Sequence, residues 1–324
     1  MKRSYKLGCI ALAAFFMSAY PLVASKFYTY MLIEIMIFAT LAVSYFLLLG
    51  HTGLLSVGHA AYFGVGVYCT ALSLIHLPNL PVPVAMLVGT LCGLVAGLAI
   101  GALLLRLSRI YFTFSTLAFS QMLWAIAWKA RSVTGGDDGL SGWSSRQISL
   151  PIFGSFGLGN LTFLYYFVAV IAVMSIIACW LFTRTPLGNT LSSVKSNMQR
   201  VDFMGININA AKLMVFSFSA MIAALAGSLF VLFKKMASPD FIDMFLSFDV
   251  VVMNVIGGYT SFVGPIVGSV VYVFLVEYLS SFIERWQLVL GAFFVCLLLY
   301  YPGGVIGVFN QVANRIVRPM RVEE

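Results

Sequence analysis

The sequence predicts an all-α, polytopic membrane protein, and three observations support this fold class. Hydrophobic residues make up 61% of the 324 positions and charged residues only 9%, whereas about a quarter of the residues in a soluble domain are charged. The apolar residues form continuous runs, and a helix needs about 20 residues to cross the hydrocarbon core of a bilayer. The runs do not alternate apolar with polar residues, as the strands of a membrane β-barrel do. A water-soluble fold is therefore excluded, and the predicted spans are helical.

About ten candidate spans follow from these runs, and several of them are short or broken. They cover residues 7–25, 30–49, 54–76, 83–105, 110–128, 161–182, 212–232, 248–260, 264–283 and 286–300. The first run has the basic start of a signal peptide, but only eight residues precede Cys9, which leaves no room for an apolar segment before a lipoprotein-type cleavage site. We interpret this run as an uncleaved span.

The distribution of charge predicts the orientation of the chain. With the N-terminus in the cytoplasm, twelve of the nineteen lysine and arginine residues lie on the cytoplasmic side, which is the positive-inside bias of membrane proteins. Both termini are therefore expected in the cytoplasm. The net charge of +8 follows from this bias and matches an anionic lipid leaflet, so nucleic acid is not an expected partner. The five cysteines lie inside apolar runs without metal-ligand spacing, and we interpret each as a small buried hydrophobe.

Two hydrophilic segments interrupt the apolar sequence. Residues 129–160 form a predicted external loop that contains the turn-rich run TGGDDG at 134–139. Residues 183–211 form the large internal loop, in which apolar residues recur at steps of three and four, at Leu191, Val194, Met198 and Val201. This spacing predicts a short amphipathic helix, which Gly205 is placed to end. Periodicity alone leaves two roles open: a helix lying in the lipid interface, and a docking element for a cytoplasmic partner.

Glycine patterns predict close packing in one span and broken backbone in two others. Gly89, Gly93, Gly97 and Gly101 repeat every four residues, and small residues at this spacing let helices approach closely. The stretch GHTGLLSVGHAAYFGVGVY at 50–68 and the run IGGYTSFVGPIVG at 256–268 both interrupt apolar sequence. Irregular backbone at membrane depth persists only where protein or a water-filled cavity satisfies it. Paired interruptions of this kind indicate an internal repeat that builds a transport path.

Three ionisable residues inside apolar runs are candidate functional residues. Intramembrane charges are costly, so Glu34 and Glu277 are candidates for a substrate pathway. Glu34 lies near the start of its span, where it can also reach interfacial water, and Glu277 can instead bond a neighbouring helix. His59 is expected to cap or hydrogen-bond the broken helix, with titration as the alternative.

No enzyme motif accompanies these residues. The sequence has no phosphate-binding loop, no serine-hydrolase elbow and no zinc-binding helix motif. We therefore predict no catalytic residues, no metal site and no cofactor bound by this chain. Any energy source is then a gradient or a partner.

Motifs spread along the chain carry a resemblance to a known family. The run GLLSVGHAAYFGVGVY at 53–68 resembles the G-x-x-S-L-G-H-A-A-F-F-G-I-G-A-Y signature of the LivM type of permease, found in importers of branched-chain amino acids. Further matches follow in the family's order: TGGDDGL at 134–140, the loop from PLG at 186–188 to MGIN at 204–207, KL at 212–213 with AG at 226–227, SP at 238–239 with Phe241, the break from GG at 257–258 to GP at 264–265, VEYL at 276–279 and YPGGVIG at 301–307. The resemblance covers residues 30–309.

The resemblance implies a membrane subunit of an ATP-binding-cassette importer in the bacterial inner membrane, with a fold similar to the vitamin-uptake class of permease. Its implied partners are a second, LivH-type permease, two cytoplasmic ATPase subunits that hold ATP and Mg, and a periplasmic or lipid-anchored solute-binding protein. The implied domains are an N-terminal span and connector at 1–29, a permease domain at 30–309 that includes the loop 183–211, and a cytoplasmic tail at 310–324.

The resemblance also implies roles for individual residues. The loop helix would be the coupling helix that docks on an ATPase, through Leu191, Val194, Lys195, Met198, Arg200 and Val201. The glycine breaks would line or hinge the translocation path. The candidate pathway residues are then Glu34, Ser56, Gly58, His59, Gly257, Gly258 and Glu277.

The sequence departs from the family pattern in its internal loop. Coupling loops of the family are rich in arginine and acidic residues, whereas the run GNTLSSVKSNM at 188–198 contains one charged residue, so fewer ion pairs to an ATPase are expected. The resemblance favours branched-chain amino acids as the solute, but relatives also move urea, short amides and aromatic acids. Two other classes stay open: a self-contained channel or gradient-driven carrier, which needs only the broken helices, and a scaffold without its own pathway.

Overall fold

The computed structural model describes residues 25–143, 147–150, 154–157, 160–196, 201, 205–282, 284–300 and 303–307. The α-helices of ten or more residues are α1 (Lys26–Phe46), α2 (His59–His76), α3 (Val82–Leu104), α4 (Arg109–Lys129), α5 (Leu161–Thr183), α6 (Pro186–Ser196), α7 (Ile208–Lys234), α8 (Met244–Gly257), α9 (Gly264–Phe282) and α10 (Trp286–Tyr300). Shorter helical turns are Arg131–Thr134, Gly136–Asp138 and Pro239–Ile242. A π-helical turn, Leu47–Thr52, extends α1. The predicted tail at 310–324, and all of the first candidate span except residue 25, lie outside the described residues.

The helical membrane fold predicted from the sequence is confirmed, with one small addition. Between α4 and α5, strands β1 (Gln147–Leu150) and β2 (Gly154–Gly157) form an antiparallel hairpin in which Gln147 lies opposite Gly157. Each candidate span from 30–49 onward coincides with a helix. In the described part of the chain, six helices are long and apolar enough to cross a membrane, and α8 and α10 are shorter. The count of about ten spans therefore stays a prediction.

Local side-chain chemistry shifts several helix boundaries from the predicted ones. The span predicted at 212–232 begins at Ile208, because the Asn207 side chain accepts a hydrogen bond from the backbone N–H of Ala210 at 3.0 Å and caps the helix. The span predicted at 248–260 begins at Met244, where the Asp243 carboxylate accepts from the first N–H. The span predicted at 54–76 begins at His59, so the five residues before it are not helical.

Helices α1 and α7 lie at the centre of the bundle. In the most apolar window of each, 83% of the residues are buried within the chain, against 39% for α3, 28% for α5 and α9, and 22% for α4. The peripheral helices turn large apolar side chains outward, as expected of surfaces that face lipid.

The glycine stripe of α3 packs against α7, as its spacing predicts. A Cβ on Gly93 would overlap the side chain of Ala224, and a Cβ on Gly97 would lie 2.6 Å from the Cβ of Ala220. Helix α2 makes a similar approach, because a Cβ on Gly66 would overlap the carbonyl oxygen of Ala224. Helices α2, α3 and α7 thus form a tightly packed group.

Candidate functional site

The first glycine-rich stretch breaks the helix, as predicted. After the π-helical turn, Gly53 adopts a left-handed conformation with φ of 68°, and the chain stays non-helical until α2 begins. Two threonines of α4 satisfy this backbone: the N–H of Val57 donates to Oγ1 of Thr116 at 3.2 Å, and Oγ1 of Thr113 donates to the carbonyl of Leu55 at 2.8 Å. Irregular backbone at membrane depth is therefore supported by neighbouring protein.

Gly58 occupies the point of closest contact between this break and α4. Its φ of −114° is open to any residue, so positive φ does not explain the glycine. A Cβ on Gly58 would overlap the carbonyl oxygen of Thr116. The requirement at this position is steric.

His59 lies at the start of α2 and is fully buried. Its Nε2 is 2.9 Å from Oγ of Ser44 in α1, and its ring packs edge-on against Tyr45, with 5.4 Å between centroids. The hydrogen-bonding role predicted for His59 is thus confirmed for one ring nitrogen. The other nitrogen, Nδ1, has no partner, and neither has the buried Oγ of Ser56.

Helix α8, which leads into the second interrupted segment, packs against the first one. With 14 residues it is about 21 Å long, too short to cross about 30 Å of hydrocarbon. Oγ of Ser247 accepts from the N–H of Ala60 at 3.0 Å, and Nδ2 of Asn254 donates to the carbonyl of Ala42 at 3.1 Å. Oδ1 of Asn254 is buried without a partner.

The first interrupted segment therefore meets α1 and α8 at what we call the polar cluster: Ser44, Ser56, His59, Ser247 and Asn254, all fully buried. Sequence reasoning identified Ser56 and His59 and missed the other three. A serine in an apolar helix usually bonds its own backbone, so it gives little signal. Asn254 did give a signal, because a side-chain amide inside an apolar run is costly to bury unless it has hydrogen-bond partners.

Gly257 and Gly258 lie at the other end of α8, in a contact separate from the polar cluster. A Cβ on Gly257 would overlap the carbonyl oxygen of Gly264, which opens α9. Gly258 has φ of 101°, and a Cβ there would lie 2.5 Å from the carbonyl oxygen of Gly303. These glycines pack α8 onto α9 and onto residues 303–304.

Glu34 and Glu277 share a pocket of about 470 Å³ at the start of α1 and the end of α7. We call it the outer pocket, and Phe27, Tyr30, Met31, Glu34, Phe233, Lys234, Lys235 and Glu277 line it. Nζ of Lys234 lies 3.0 Å from Oε2 of Glu34. The structure thus brings the two predicted glutamates together, away from His59, and adds two lysines that sequence reasoning missed.

Asp249 is a further intramembrane carboxylate that sequence reasoning missed, although it lies within a predicted span. It is half-buried on α8, beside Tyr272 of α9. A carboxylate inside an apolar run is the same signal that drew attention to Glu34 and Glu277.

On the predicted cytoplasmic side, α6 confirms the amphipathic helix. Nζ of Lys195 donates to the carbonyl of Gly50 in the π-helical turn at 2.8 Å and lies 5.7 Å from the centre of the Tyr259 ring. A basic pocket of about 500 Å³, lined by Arg106, Arg109 and Lys212, adjoins the same helix. This concentration of cations agrees with the positive-inside assignment.

The apolar stripe of α6 faces the chain's own interior, which corrects its predicted role as the contact with a partner. Leu191 and Val194 are 0% and 2% exposed, and Val201 packs with Val194 and Ile208. Their apolar periodicity is therefore explained by packing within the chain. The exposed face of α6 carries Asn189, Ser192 and Ser193. Met198 and Arg200, also predicted to contact the partner, lie outside the described residues.

Apolar helices long enough to span a bilayer, together with an interrupted segment that meets the short helix α8 inside the bundle, define a multi-pass membrane protein of the permease type. The sequence model of the family described as "Branched-chain amino acid transport system / permease component" matches residues 27–298. The chain belongs to this family, and its resemblance to the LivM type is confirmed.

Individual relatives point to more than one solute. The chain is 26% identical over 289 residues to the high-affinity branched-chain amino acid transport system permease protein LivM of Escherichia coli, covering 84% of this chain and 68% of the relative. It is 24% identical over 220 residues to the ribose import permease protein RbsC of Haemophilus influenzae, covering 67% of this chain and 64% of that relative. It is also 28% identical over 151 residues to the autoinducer 2 import system permease protein LsrC of Salmonella typhi, covering 46% of this chain and 40% of that relative. No solved structure matches the chain significantly.

Proposed function

We propose that the chain is the membrane-spanning permease subunit of an ATP-binding-cassette importer, which moves a small polar solute into the cytoplasm. Its partners are a second, LivH-type permease, two cytoplasmic ATPase subunits that bind ATP and Mg, and a periplasmic or lipid-anchored solute-binding protein. The chain crosses the bacterial inner membrane with both termini in the cytoplasm. One observation carries the proposal: the first interrupted segment meets α8 at the buried polar cluster, and α6 is bonded to that same segment.

The polar cluster supports a pathway because it is incompletely satisfied. His59 Nδ1, Ser56 Oγ and Asn254 Oδ1 are buried without partners, and each such group costs about 1–3 kcal/mol. A state in which water or a polar solute reaches these atoms recovers part of that cost. The cluster therefore favours a bundle with closed and open states, as alternating access requires.

The bond between Lys195 and Gly50 supports coupling to a partner. Gly50 lies in the π-helical turn that precedes the break, so a displacement of α6 acts directly on the interrupted segment. The exposed side of α6, with Asn189, Ser192 and Ser193, is the surface we assign to an ATPase. This neutral face is consistent with a contact that uses few ion pairs.

Branched-chain amino acids are the proposed solutes, because the family and the LivM relatives are described by them. Urea, short amides and aromatic acids remain alternatives from the wider family, and the ribose and autoinducer 2 permeases add sugar-like solutes. A self-contained channel or a gradient-driven carrier is the alternative of a different class.

The test is ATP-driven uptake of leucine by the chain, co-purified with the products of neighbouring genes and reconstituted in proteoliposomes. We expect uptake that needs ATP and the ATPase subunits. We also expect His59→Phe to lose most of it while the complex stays assembled, because phenylalanine fills the site beside Tyr45 without polar atoms. The matched control is His76→Phe, at the other end of α2, where the ring is exposed. Solute flux through the chain alone, without ATP, would contradict the proposal.

A further inference from the structure

We propose that the outer pocket is a binding site for zwitterionic α-amino acids with apolar side chains, in which Glu277 holds the ammonium group and Lys235 holds the carboxylate. This inference rests on the proposed function, because it names the solute class that a permease would admit at its external face. It concerns a site distinct from the polar cluster.

The charges of the pocket are balanced but incompletely paired. Two carboxylates and two ammonium groups line it, and Glu34 and Lys234 form an ion pair with each other. In the described part of the chain, Glu277 and Lys235 form no ion pair within 4 Å. One carboxylate and one ammonium are thus available to a ligand that carries both opposite charges. A cation or an anion alone would leave one of the two uncompensated.

The backbone at Lys235 explains why both lysines reach the same pocket. Consecutive residues of a helix point about 100° apart, so Lys234 and Lys235 would diverge if α7 continued. Instead Lys235 has φ of 57°, the only positive φ among the described non-glycine residues, and it caps α7. A left-handed lysine is uncommon, and such conformations concentrate at functional sites.

The walls of the pocket suit the hydrocarbon part of such a ligand. Phe27, Tyr30, Met31 and Phe233 supply apolar surface, and about 470 Å³ falls within the usual range of small-molecule pockets. Phe27 and Tyr30 are about half exposed, so the site is open from outside. A neutral polyol or urea would contact the same walls without using the two available charges.

The experiment is saturation-transfer NMR on the full-length chain in nanodiscs, with four probes at millimolar concentration: leucine, leucinamide, 4-methylpentanoate and urea. Leucinamide lacks the carboxylate, and 4-methylpentanoate lacks the ammonium. We expect leucine to bind at least about tenfold more tightly than either analogue, because each analogue forfeits one charged contact. This comparison uses the unsubstituted protein, so it does not depend on the folding of a variant.

Two variants then assign the charges. Glu277→Gln should lower the affinity for leucine to the affinity that the unsubstituted chain has for 4-methylpentanoate. Lys235→Gln should lower it to the affinity that the unsubstituted chain has for leucinamide. Glu284→Gln and Lys129→Gln are matched controls, since both residues are exposed on the predicted external side and neither lines the pocket. The controls should bind leucine as the unsubstituted chain does.

The inference is overturned if leucine gives no signal, if it binds no better than its analogues, or if Glu277→Gln leaves its affinity unchanged. Parallel uptake measurements on the reconstituted complex separate this failure from failure of the proposed function. If the Glu277→Gln complex still takes up leucine with ATP, and the variant binds leucine as tightly as the unsubstituted chain, the pocket assignment alone is wrong. Absence of ATP-driven uptake of any solute in the unsubstituted complex removes the proposed function, and with it the role of the pocket in transport.

Discussion

At the scale of single residues, Gly58 of the first break is required because the backbone there approaches α4 too closely to leave room for a side chain. Gly58 has a backbone conformation open to other residues, and yet a Cβ there would overlap a carbonyl oxygen of α4. Backbone cannot rotate away from such an overlap as a flexible side chain can, so either α4 or the break would have to move. This contact is also close to the threonine hydroxyls that satisfy the break.

Gly58→Ala should therefore destabilise the protein, by about 1–3 kcal/mol for an overpacked site. The measurement is the thermal midpoint in detergent, followed by size-exclusion chromatography. Gly291→Ala on α10 is the matched control, because no atom of another part of the chain lies within 4 Å of its added Cβ. It should be neutral or slightly stabilising. Equal midpoints for the two variants would contradict the steric account of Gly58.

Sequence alone could identify single residues but not their partners. Glu34 and Glu277 were recognisable because carboxylates are rare in apolar runs, whereas the bond from Glu34 to Lys234 joins residues 200 positions apart. No local pattern encodes such a pair, since it depends on how α1 and α7 pack. The partners of Ser247 and Asn254 were not predictable for the same reason: their contacts to α2 and α1 exist only in the folded bundle.

At the scale of elements, the periodicity of α6 predicted the helix and its apolar face but not what that face contacts. An apolar stripe can pack on lipid, on a partner or on the same chain, and all three give the same spacing. In the structure the stripe packs on the same chain, because Leu191 and Val194 are buried within it. The element that links α6 to the interrupted segment is instead a charged side chain, Lys195.

Lys195→Met should uncouple ATP hydrolysis from uptake. The substitution keeps most of the aliphatic side chain and removes the ammonium that bonds the Gly50 carbonyl, so α6 would still pack but would act less directly on the π-helical turn. We expect leucine uptake in proteoliposomes to fall at least about fivefold at an unchanged ATPase rate, a loss of about 1 kcal/mol of coupling.

Arg184→Met provides the control for this effect. It also removes one positive charge at the loop 183–211, but its guanidinium stacks on Trp180 of the preceding helix, 4.2 Å from the ring centre. Uptake per ATP hydrolysed should stay at the level of the unsubstituted complex. An equal loss of uptake in both variants would attribute the effect to the charge of the loop and remove the specific role of Lys195.

At the scale of the whole molecule, composition and run length were sufficient for the fold class, and glycine content located both helix breaks. The contact of the first break with α8 was not predictable, since it depends on how Ser247 and Asn254 pack against α2 and α1. The proposed mechanism needs the outer pocket and α6 on opposite sides of the membrane. Helix α7, which begins after α6 and ends at Lys234 in the pocket, has 27 residues, and α5, which precedes α6, has 23; each is sufficient for one crossing.

The orientation can be tested by labelling introduced cysteines with a membrane-impermeant maleimide. Lys129→Cys lies before α5 and Ser193→Cys lies after it, and both positions are exposed. One crossing between them places them on opposite sides, so we expect Lys129→Cys to react in spheroplasts and Ser193→Cys only in inverted vesicles. The unsubstituted chain, with its five native cysteines, gives the background in both preparations. Reaction of both variants from the same side would mean that α5 does not cross, which would contradict the predicted external position of the loop 129–160 and the cytoplasmic position of α6.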